Sequence, residues 1–577
     1  MRLRELPRGV LDVLRAGFGR VGRCRAWCLG ALVFVGYMSN GKTIWSGDTV
    51  PARYLPPTIL HELNTDFNEF TGLFRDGVPY YFVKCGESYR SASPPMAGFL
   101  AVPVHLVAHL LPHPDTDESL KWQEKIAASL IVACSAVLVF LAAGEIASGT
   151  VSLIVSLVYA FGTSAFSTSA QALWQHGPSQ LFLAAAALVL VRGRRTGRLW
   201  PLGALLGLAV LSRPTNVIAV LVVGSYILIA HRGQFPLFVL AGLPFLVFGA
   251  WYNSDYGTVL GPYYGHYHEH PGTWWGGPFW ATLAAHVVNP NRGLLVFSPV
   301  LVLALVGFWR KVVRERDAAF LCMALICVGH LALISKFAVW WAGWSFGPRY
   351  SADIMPLAAL FLVPVAERVV RKPRSILAGA FVALATMSVL THACGVYSAK
   401  PRLWNMEPSV DQYPSRLWDW WDGQLLSVLH GRRPRIVPFD SLPTDVGTRC
   451  RDSAATYGWC RRIEPAGSPA SLSFPVSLAP KTYDLTFRAR VAGHEQGPGL
   501  AGELSVICPG GQVVATVPLP SGPPEGEAYA TYRARLSVPG GHGDVPCVCR
   551  FSSFGKATVW LDHVTLRSAR TKAQETH

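Results

Sequence analysis

Residues 94–112 read PPMAGFLAVPVHLVAHLLP, an apolar run long enough to be taken for a membrane span. Whether it crosses decides the sidedness of everything after it. Pro103 interrupts the run, and His105 and His109 lie within it; all three are unfavourable in a helix surrounded by hydrocarbon. The flanking charges weigh more. Three downstream loops, 192–198 (RGRRTGR), 310–316 (RKVVRER) and 367–374 (ERVVRKPR), hold four Lys or Arg each. Short basic loops stay on the cytoplasmic side. These three share a side with the Arg-rich N-terminus only if 94–112 does not cross. A helix lying along the outer interface is therefore expected there.

Working outward, eleven other stretches are expected to span: 26–41, 126–144, 147–168, 177–191, 199–212, 214–230, 235–254, 293–309, 318–335, 351–366 and 375–398. Several fall short of the roughly 20 residues that a perpendicular helix needs, so flanking polar residues or local thinning must complete them. The 25-residue basic leader lacks a small-residue cleavage site, so the first span is not a cleavable signal. Of the 577 residues, 51% are apolar and 15% charged, where soluble domains carry about a quarter charged. That excludes a soluble enzyme, a disordered chain and a collagen-like fibre. The net charge of +16 sits in short clusters between apolar runs. Such clusters meet lipid headgroups, so membrane lipids and no nucleic acid are the expected partners.

The chain thus divides into a cytoplasmic basic N-terminus (1–25) and a polytopic helical membrane domain (26–398) whose long first outer loop covers 42–122. An interfacial or linker region (399–464), an extracytoplasmic β-sandwich (465–567) and a tail (568–577) follow. Trp404, Trp418, Trp420 and Trp421 suit an interfacial helix or lid, or a partly buried linker. Tyr483, Leu485, Phe487, Ala489 and Val491 alternate with polar residues, as do Tyr532, Ala534, Leu536 and Val538, the period of half-buried strands. This pattern resembles the jelly-roll modules appended to carbohydrate-active proteins. Five of the twelve cysteines (450, 460, 508, 547 and 549) lie in this outer region, where disulfides are permitted. Cys450 and Cys460 are placed to close a small loop, and Cys508 to meet Cys547 or Cys549.

Ionisable residues gather on the outer face. Asp48, in SGDTVPARYLPP just after the first span, is a candidate general base, or else a helix cap or a partner of Arg53. Arg349, in WWAGWSFGPRY, is placed to hold a lipid phosphate bidentately, or to snorkel in an aromatic belt. Arg213, in LSRPTN, precedes a helix N-terminus, where a cation is unfavourable unless an anion is near. That marks a phosphate site, an acidic partner or a plain turn. Arg292, in PNRG, has the same two readings as Arg349, and Arg90 just precedes Pro94 and Pro95 at headgroup level. Arg53, His176, Tyr263, Tyr264, His266, Trp341 and Trp344 share this face and are expected to meet substrate. The histidines of DYGTVLGPYYGHYHEH (255–270) read as a polar substrate-facing surface, with no metal site expected. The cytoplasmic loops carry no Gly-rich nucleotide motif, so a donor already resident in the membrane fits best.

In the order and sidedness of these features the chain resembles the GT-C class of polytopic glycosyltransferases, especially relatives of the protein mannosyltransferases and aminoarabinose transferases. An acid after the first span (Asp48), an outer loop with Pro94-Pro95, the Arg213-Pro214 turn and a Trp/Gly-rich loop ending Gly347-Pro348-Arg349-Tyr350 carry the likeness. It implies an inverting sugar transfer from a polyprenyl-phosphate donor to a glycan, lipid or protein acceptor outside the cytoplasmic membrane; no cofactor is expected, and a metal requirement stays open. Asp48 would be the base, with Arg349, Arg213 and Arg90 on the donor phosphate. Unlike the protein mannosyltransferases, Asp48 is not followed by Glu, so the acceptor does not carry over. A lipid-linked glycan transporter and a non-catalytic envelope assembly protein are the alternatives.

Overall fold

The computed structural model describes residues 20–568 apart from 75–76, 111–115, 258–260, 262–274, 407, 430–434, 443, 445, 453, 456–458, 466–468, 479, 481, 493–498, 521–528, 540–544 and 556. The chain forms two compact units, Met1–Ala399 and Lys400–His577.

The first unit is mostly helical. Its longer helices are α1 Arg20–Met38, α2 Val50–His61, α3 Met96–His109, α4 Asp117–Gly144, α5 Gly149–Phe161 and α6 His176–Thr196. They continue as α7 Leu202–Ser212, α8 Val217–Ala230, α9 Phe235–Asn253, α10 Phe279–Val288, α11 Ala318–Ile334 and α12 Ile376–Tyr397. Their starts follow from side chains that accept orphan backbone N–H groups: Thr116, Ser148, Asp317 and Ser375 cap α4, α5, α11 and α12. Three helical stretches, Asp117–Gly144, Arg232–Tyr256 and Ile376–Tyr397, are long and apolar enough to cross a membrane.

Three of the expected spans are not single helices. In 147–168 α5 ends at Phe161 and a separate turn, Ala165–Ser169, follows. In 293–309 the chain breaks at Ser298, and a short turn from Pro299 to Leu303 precedes Ala304–Phe308. Pro299 has no N–H to continue the ladder, and the N–H of Val300 goes to Ser388 Oγ at 3.1 Å. In 351–366 a 3-10 turn, Arg349–Ile354, leads into Met355–Leu360 and then Val363–Arg371, each with a proline in its first turn. Helix α3, by contrast, runs through Pro103 unbroken. It buries Met96, Ala97, Gly98, Ala101 and His105 and exposes Leu106, Val107 and Leu110. Its 14 residues extend only about 21 Å, against a hydrocarbon core of about 30 Å.

Small residues let the helices approach closely, as lipid-embedded helices require. Ser156 Oγ of α5 donates to the carbonyl of Ala136 in α4 at 2.6 Å, and the hydroxyls of Ser135 and Tyr159 are 2.7 Å apart. A Cβ on Gly203 in α7 would run into the Phe238 carbonyl of α9, so only glycine permits that crossing.

The second unit begins with short helical pieces, Lys400–Met406, Pro414–Trp418 and Leu426–Leu429, in place of one interfacial helix. They gather about Trp404, which is fully buried under the Arg416 guanidinium (4.5 Å) and donates Nε1–H to Asp422 at 3.0 Å. Trp420 and Trp421 are exposed.

Strands follow the small hairpin of the first unit (β1 Phe82–Cys85, β2 Ser88–Ser91) as β3 Arg435–Pro438, β4 Thr448–Arg451, β5 Trp459–Ile463, β6 Ala470–Leu478 and β7 Thr482–Ala492. Then come β8 Leu500–Ile507, β9 Val513–Pro520, β10 Ala530–Ser537, β11 Val545–Ser553 and β12 Thr558–Ser568. One antiparallel sheet has the order β10-β7-β12-β5-β4 with β3 also on β12, and the other runs β6-β11-β8-β9. Sheet structure thus starts at Arg435, ahead of the alternating pattern, because β3 to β5 are short and Arg-rich. Both sheets turn apolar residues into one core, where Phe487 of β7 meets Phe551 of β11 with ring centroids 5.6 Å apart. Arg461, buried at the edge of this core, donates to the carbonyls of Phe439, Leu442, Thr444, Val446 and Gly447. Truncating the fully buried Phe487 to Ala is expected to destabilise this unit by about 3–5 kcal/mol, read as a lowered unfolding transition of the full chain in detergent.

Candidate functional site

Asp48 sits in a 3-10 turn, Gly47–Thr49, that runs directly into α2. An acid there faces the positive end of the helix dipole. Its Oδ2 accepts from Arg349 Nη1 at 2.9 Å, and its Oδ1 from the Tyr80 hydroxyl at 3.3 Å. The carboxylate side chain is 29% exposed and the guanidinium side chain 13%, so the pair is half out of water and still reachable. Tyr80 is 65% exposed as a residue, but crowding about its hydroxyl end, and next the Asp48 charge, raise the phenol above its ordinary pKa, which keeps it a donor.

Arg349 opens the 349–354 turn. Gly347, two residues before it, has φ +60 and lies against the Phe297 ring, so the GPRY loop needs glycine there. The guanidinium lies 4.8 Å above the Trp174 ring and 5.6 Å from Tyr350. Four residues on, Asp353 is fully buried. Its carboxylate meets His176 Nδ1 at 3.1 Å, Arg213 Nε at 3.1 Å and His330 Nε2 at 3.7 Å. Since Arg213 only donates, the His176 Nδ1–H points to Asp353 and Nε2 accepts from Arg213 Nη1 at 2.9 Å. The anion required by a cation before a helix N-terminus is thus Asp353, which leaves Arg213 8% exposed and internally neutralised. The His330 ring also meets the Tyr350 carbonyl at 2.9 Å.

A second buried network braces α2. Arg53 is paired with Glu124 at 2.6 Å and Asp117 at 3.3 Å, and its guanidinium lies 5.0 Å from the Trp45 ring. Glu124 also accepts the Leu173 N–H at 3.1 Å. Its neighbour Lys125 donates to Gln171 Oε1 at 2.7 Å, which Asn40 shares at 2.8 Å. Residues 171–176 therefore connect both networks: Gln171 and Leu173 on the α4 side, Trp174 and His176 on the Arg349–Asp353 side.

The structure brings together Asp48, Arg349, Arg213 and His176. Arg53 shares α2's environment but is committed to Glu124 and Asp117. Arg90 lies apart, paired with Asp255 and donating to Thr65 Oγ1 at 2.7 Å. Arg292 donates to the carbonyls of Trp341 (2.7 Å), Asn291 (2.8 Å) and Gly343 (2.9 Å), so it holds the aromatic loop in shape. Trp341 is half-buried in that loop and Trp344 is 50% exposed. Tyr263, Tyr264 and His266 lie outside the described residues. Among the described residues no group of three His, Cys, Asp or Glu is arranged to hold a metal.

No protein-family model matches the chain, and no curated protein does. Among solved structures, the chain is similar to the oligosaccharyltransferase of Archaeoglobus fulgidus in its apo form, with 12% identity over 74% of this chain and a TM-score of 0.41. The archaeal oligosaccharyltransferase AglB of the same organism, in complex with an inhibitory peptide and a dolichol-phosphate, gives 13% over 74% and a TM-score of 0.37. The chain spans 62% and 61% of the lengths of those two chains. A carbohydrate-binding module from a Cellvibrio mixtus lichenase, in complex with cellotriose, is similar over 23% of this chain at 15% identity, with a TM-score of 0.18.

Asp353, Glu124, Lys125 and Trp174 were not among the residues singled out from sequence. Asp353 had a signal: an acid inside an apolar stretch, four residues past Arg349. Glu124 and Lys125 fall just before the apolar run of α4, where charges read as a solvated flank. Replacing Glu124 by Ala leaves the buried Arg53 with the half-exposed Asp117 as its remaining acid and strands the Leu173 N–H in the interior. It is expected to cost about 3–5 kcal/mol, seen as a lower melting temperature of the detergent-solubilised protein.

Proposed function

We propose that the chain is a GT-C-type, inverting glycosyltransferase with eleven spans that moves a sugar from a polyprenyl-phosphate donor to an acceptor at the outer face of the cytoplasmic membrane. On this reading the N-terminus is cytoplasmic, and the C-terminal β-sandwich and the Asp48 site lie outside. The observation that carries it is the Asp48–Arg349 pair, a carboxylate and a guanidinium in direct contact at a polar edge of the helical unit.

The chemistry divides between the two groups. Asp48 takes the proton of an acceptor hydroxyl, whose oxygen attacks the anomeric carbon opposite the leaving phosphate, and the configuration inverts. The bond from the anomeric carbon to the phosphate oxygen breaks, and Arg349 meets the charge that develops there. Trp174 and Tyr350 fix the plane of that guanidinium, while Asp353 and Arg213 hold the turn that carries it. Arg90, Arg292, Tyr263, Tyr264, His266, Trp341 and Trp344 remain candidates for outer-face contacts to donor or acceptor. The one buried face of α3 supports a helix on the outer surface.

Asp48→Asn is expected to lower transfer from a membrane-lipid donor by about 10²–10⁴-fold with unchanged melting temperature. Full activity in this variant, measured as radiolabelled sugar moved into product, sinks the proposal. Because Tyr80 keeps its proton up to and beyond about pH 10, Tyr80→Phe should lower the rate a few-fold (about 2–10-fold for one lost hydrogen bond) while leaving the pH profile's shape intact. A changed alkaline limb speaks against a purely donating Tyr80.

One observation favours the transporter alternative: Asp353 with Arg213, His176 and His330 forms a buried ionisable cluster of the kind that couples proton movement to transport. Glycan crossing reconstituted vesicles without formation of a glycosidic bond, and abolished by Asp353→Asn, decides for it.

A further inference from the structure

Five cysteines lie in the second unit, at 450, 460, 508, 547 and 549. Their sequence positions left two partners open for Cys508. The strand register removes that choice. Cys450 and Cys460 are directly opposed across the β4–β5 ladder, with sulfurs 3.1 Å apart. Cys508 follows β8, whose Ile507 opposes Val548 of β11, so the next step of the same register sets Cys508 against Cys547. Their sulfurs are 2.7 Å apart. Cys549 points into the same core two residues along β11, but Val506 and Phe474 stand opposite it.

We propose that Cys450–Cys460 and Cys508–Cys547 are disulfides in the mature protein. The inference rests on the outer placement of this unit in the proposed function, because only there is a protein-borne disulfide oxidant at hand. In each bridge, a thiolate of the pair attacks the oxidant's disulfide and releases one of its sulfurs as a thiolate. The second cysteine then attacks the mixed disulfide. One protein disulfide forms, two protons leave the protein thiols, and the oxidant carries away two electrons as a dithiol.

Burial orders the events. Cys460, Cys508 and Cys547 are each less than a twentieth exposed, so a bulky oxidant cannot reach them in the finished fold. Burial, and then the neighbouring thiol, also push Cys547 up to about 12, which withholds the reactive thiolate. Oxidation therefore belongs to the folding chain, before β8 and β11 close over Cys508 and Cys547. The bridges tie the edge hairpin β4–β5 to itself and the end of β8 to β11.

The test uses the full chain, expressed in a bacterial inner membrane with its native leader and extracted under acid quench. It is alkylated in denaturant without reductant, digested and analysed by mass spectrometry. Linked peptides joining 450 to 460 and 508 to 547, each lacking two hydrogens, are the expected result. Alkylation of all five cysteines, or a 508–549 link, overturns the proposal, whether or not Asp48→Asn abolishes sugar transfer. A Cys508→Ser/Cys547→Ser variant serves as a control. Its remaining 450–460 link should persist. Loss of that link, or a new link from Cys450 or Cys460 to Cys549, counts against the assigned pairing.

Discussion

A carboxylate just ahead of α2 and a guanidinium from 301 residues further along the chain meet at 2.9 Å, and two buried networks hold the segments that carry them. Neither group is deeply buried, so neither suffers the full cost of desolvation, yet each approaches from a segment that is rigid for its own reason. Asp48 begins α2, which Arg53 fastens to Glu124 and Asp117 of α4. Arg349 begins a turn that Asp353 fastens to Arg213 and His176. Segment 171–176 touches both sides. A buried ion pair contributes little net stability on average; what it supplies here is position, since charges stripped of water tolerate few alternative geometries.

Much of this was legible in the sequence, and the boundary is physical. Asp48, Arg349 and Arg213 stand at junctions between apolar runs and Gly/Pro-rich loops, where an ionisable group is conspicuous. The helices follow the apolar stretches because hydrophobic runs bounded by Ser, Thr or Asp caps leave little choice. Proline read as a break misled in both directions: Pro103 is absorbed within α3, whereas Pro299 coincides with a real interruption. The difference lies in what meets the displaced backbone groups, here Ser388 from a helix some ninety positions away. No local pattern carries that information.

The same limit explains Glu124 and Asp353. Asp353 is a lone acid in an apolar stretch and Glu124 is one of several acids near the start of α4, yet each takes its meaning from a partner distant in sequence. Arg213 is the instructive case, because the electrostatic argument correctly demanded an anion at that helix start and the chain supplies it internally. Short strands such as β4 and β5 were equally silent, since arginines break any apolar alternation in them and their pairing is set by register.

Arg461 bears on how the second unit tolerates change. A single planar cation gathers five carbonyls from residues 439–447, so the course of that connection is fixed by main-chain atoms that every residue type possesses. Within it Phe439 and Asp440 are buried and Gly447 sits at φ +72, so these positions are constrained by their own surroundings as well. At 461 itself lysine, a point charge with three donors, cannot span the same ring of acceptors. One substitution at that anchor therefore releases five main-chain groups at once.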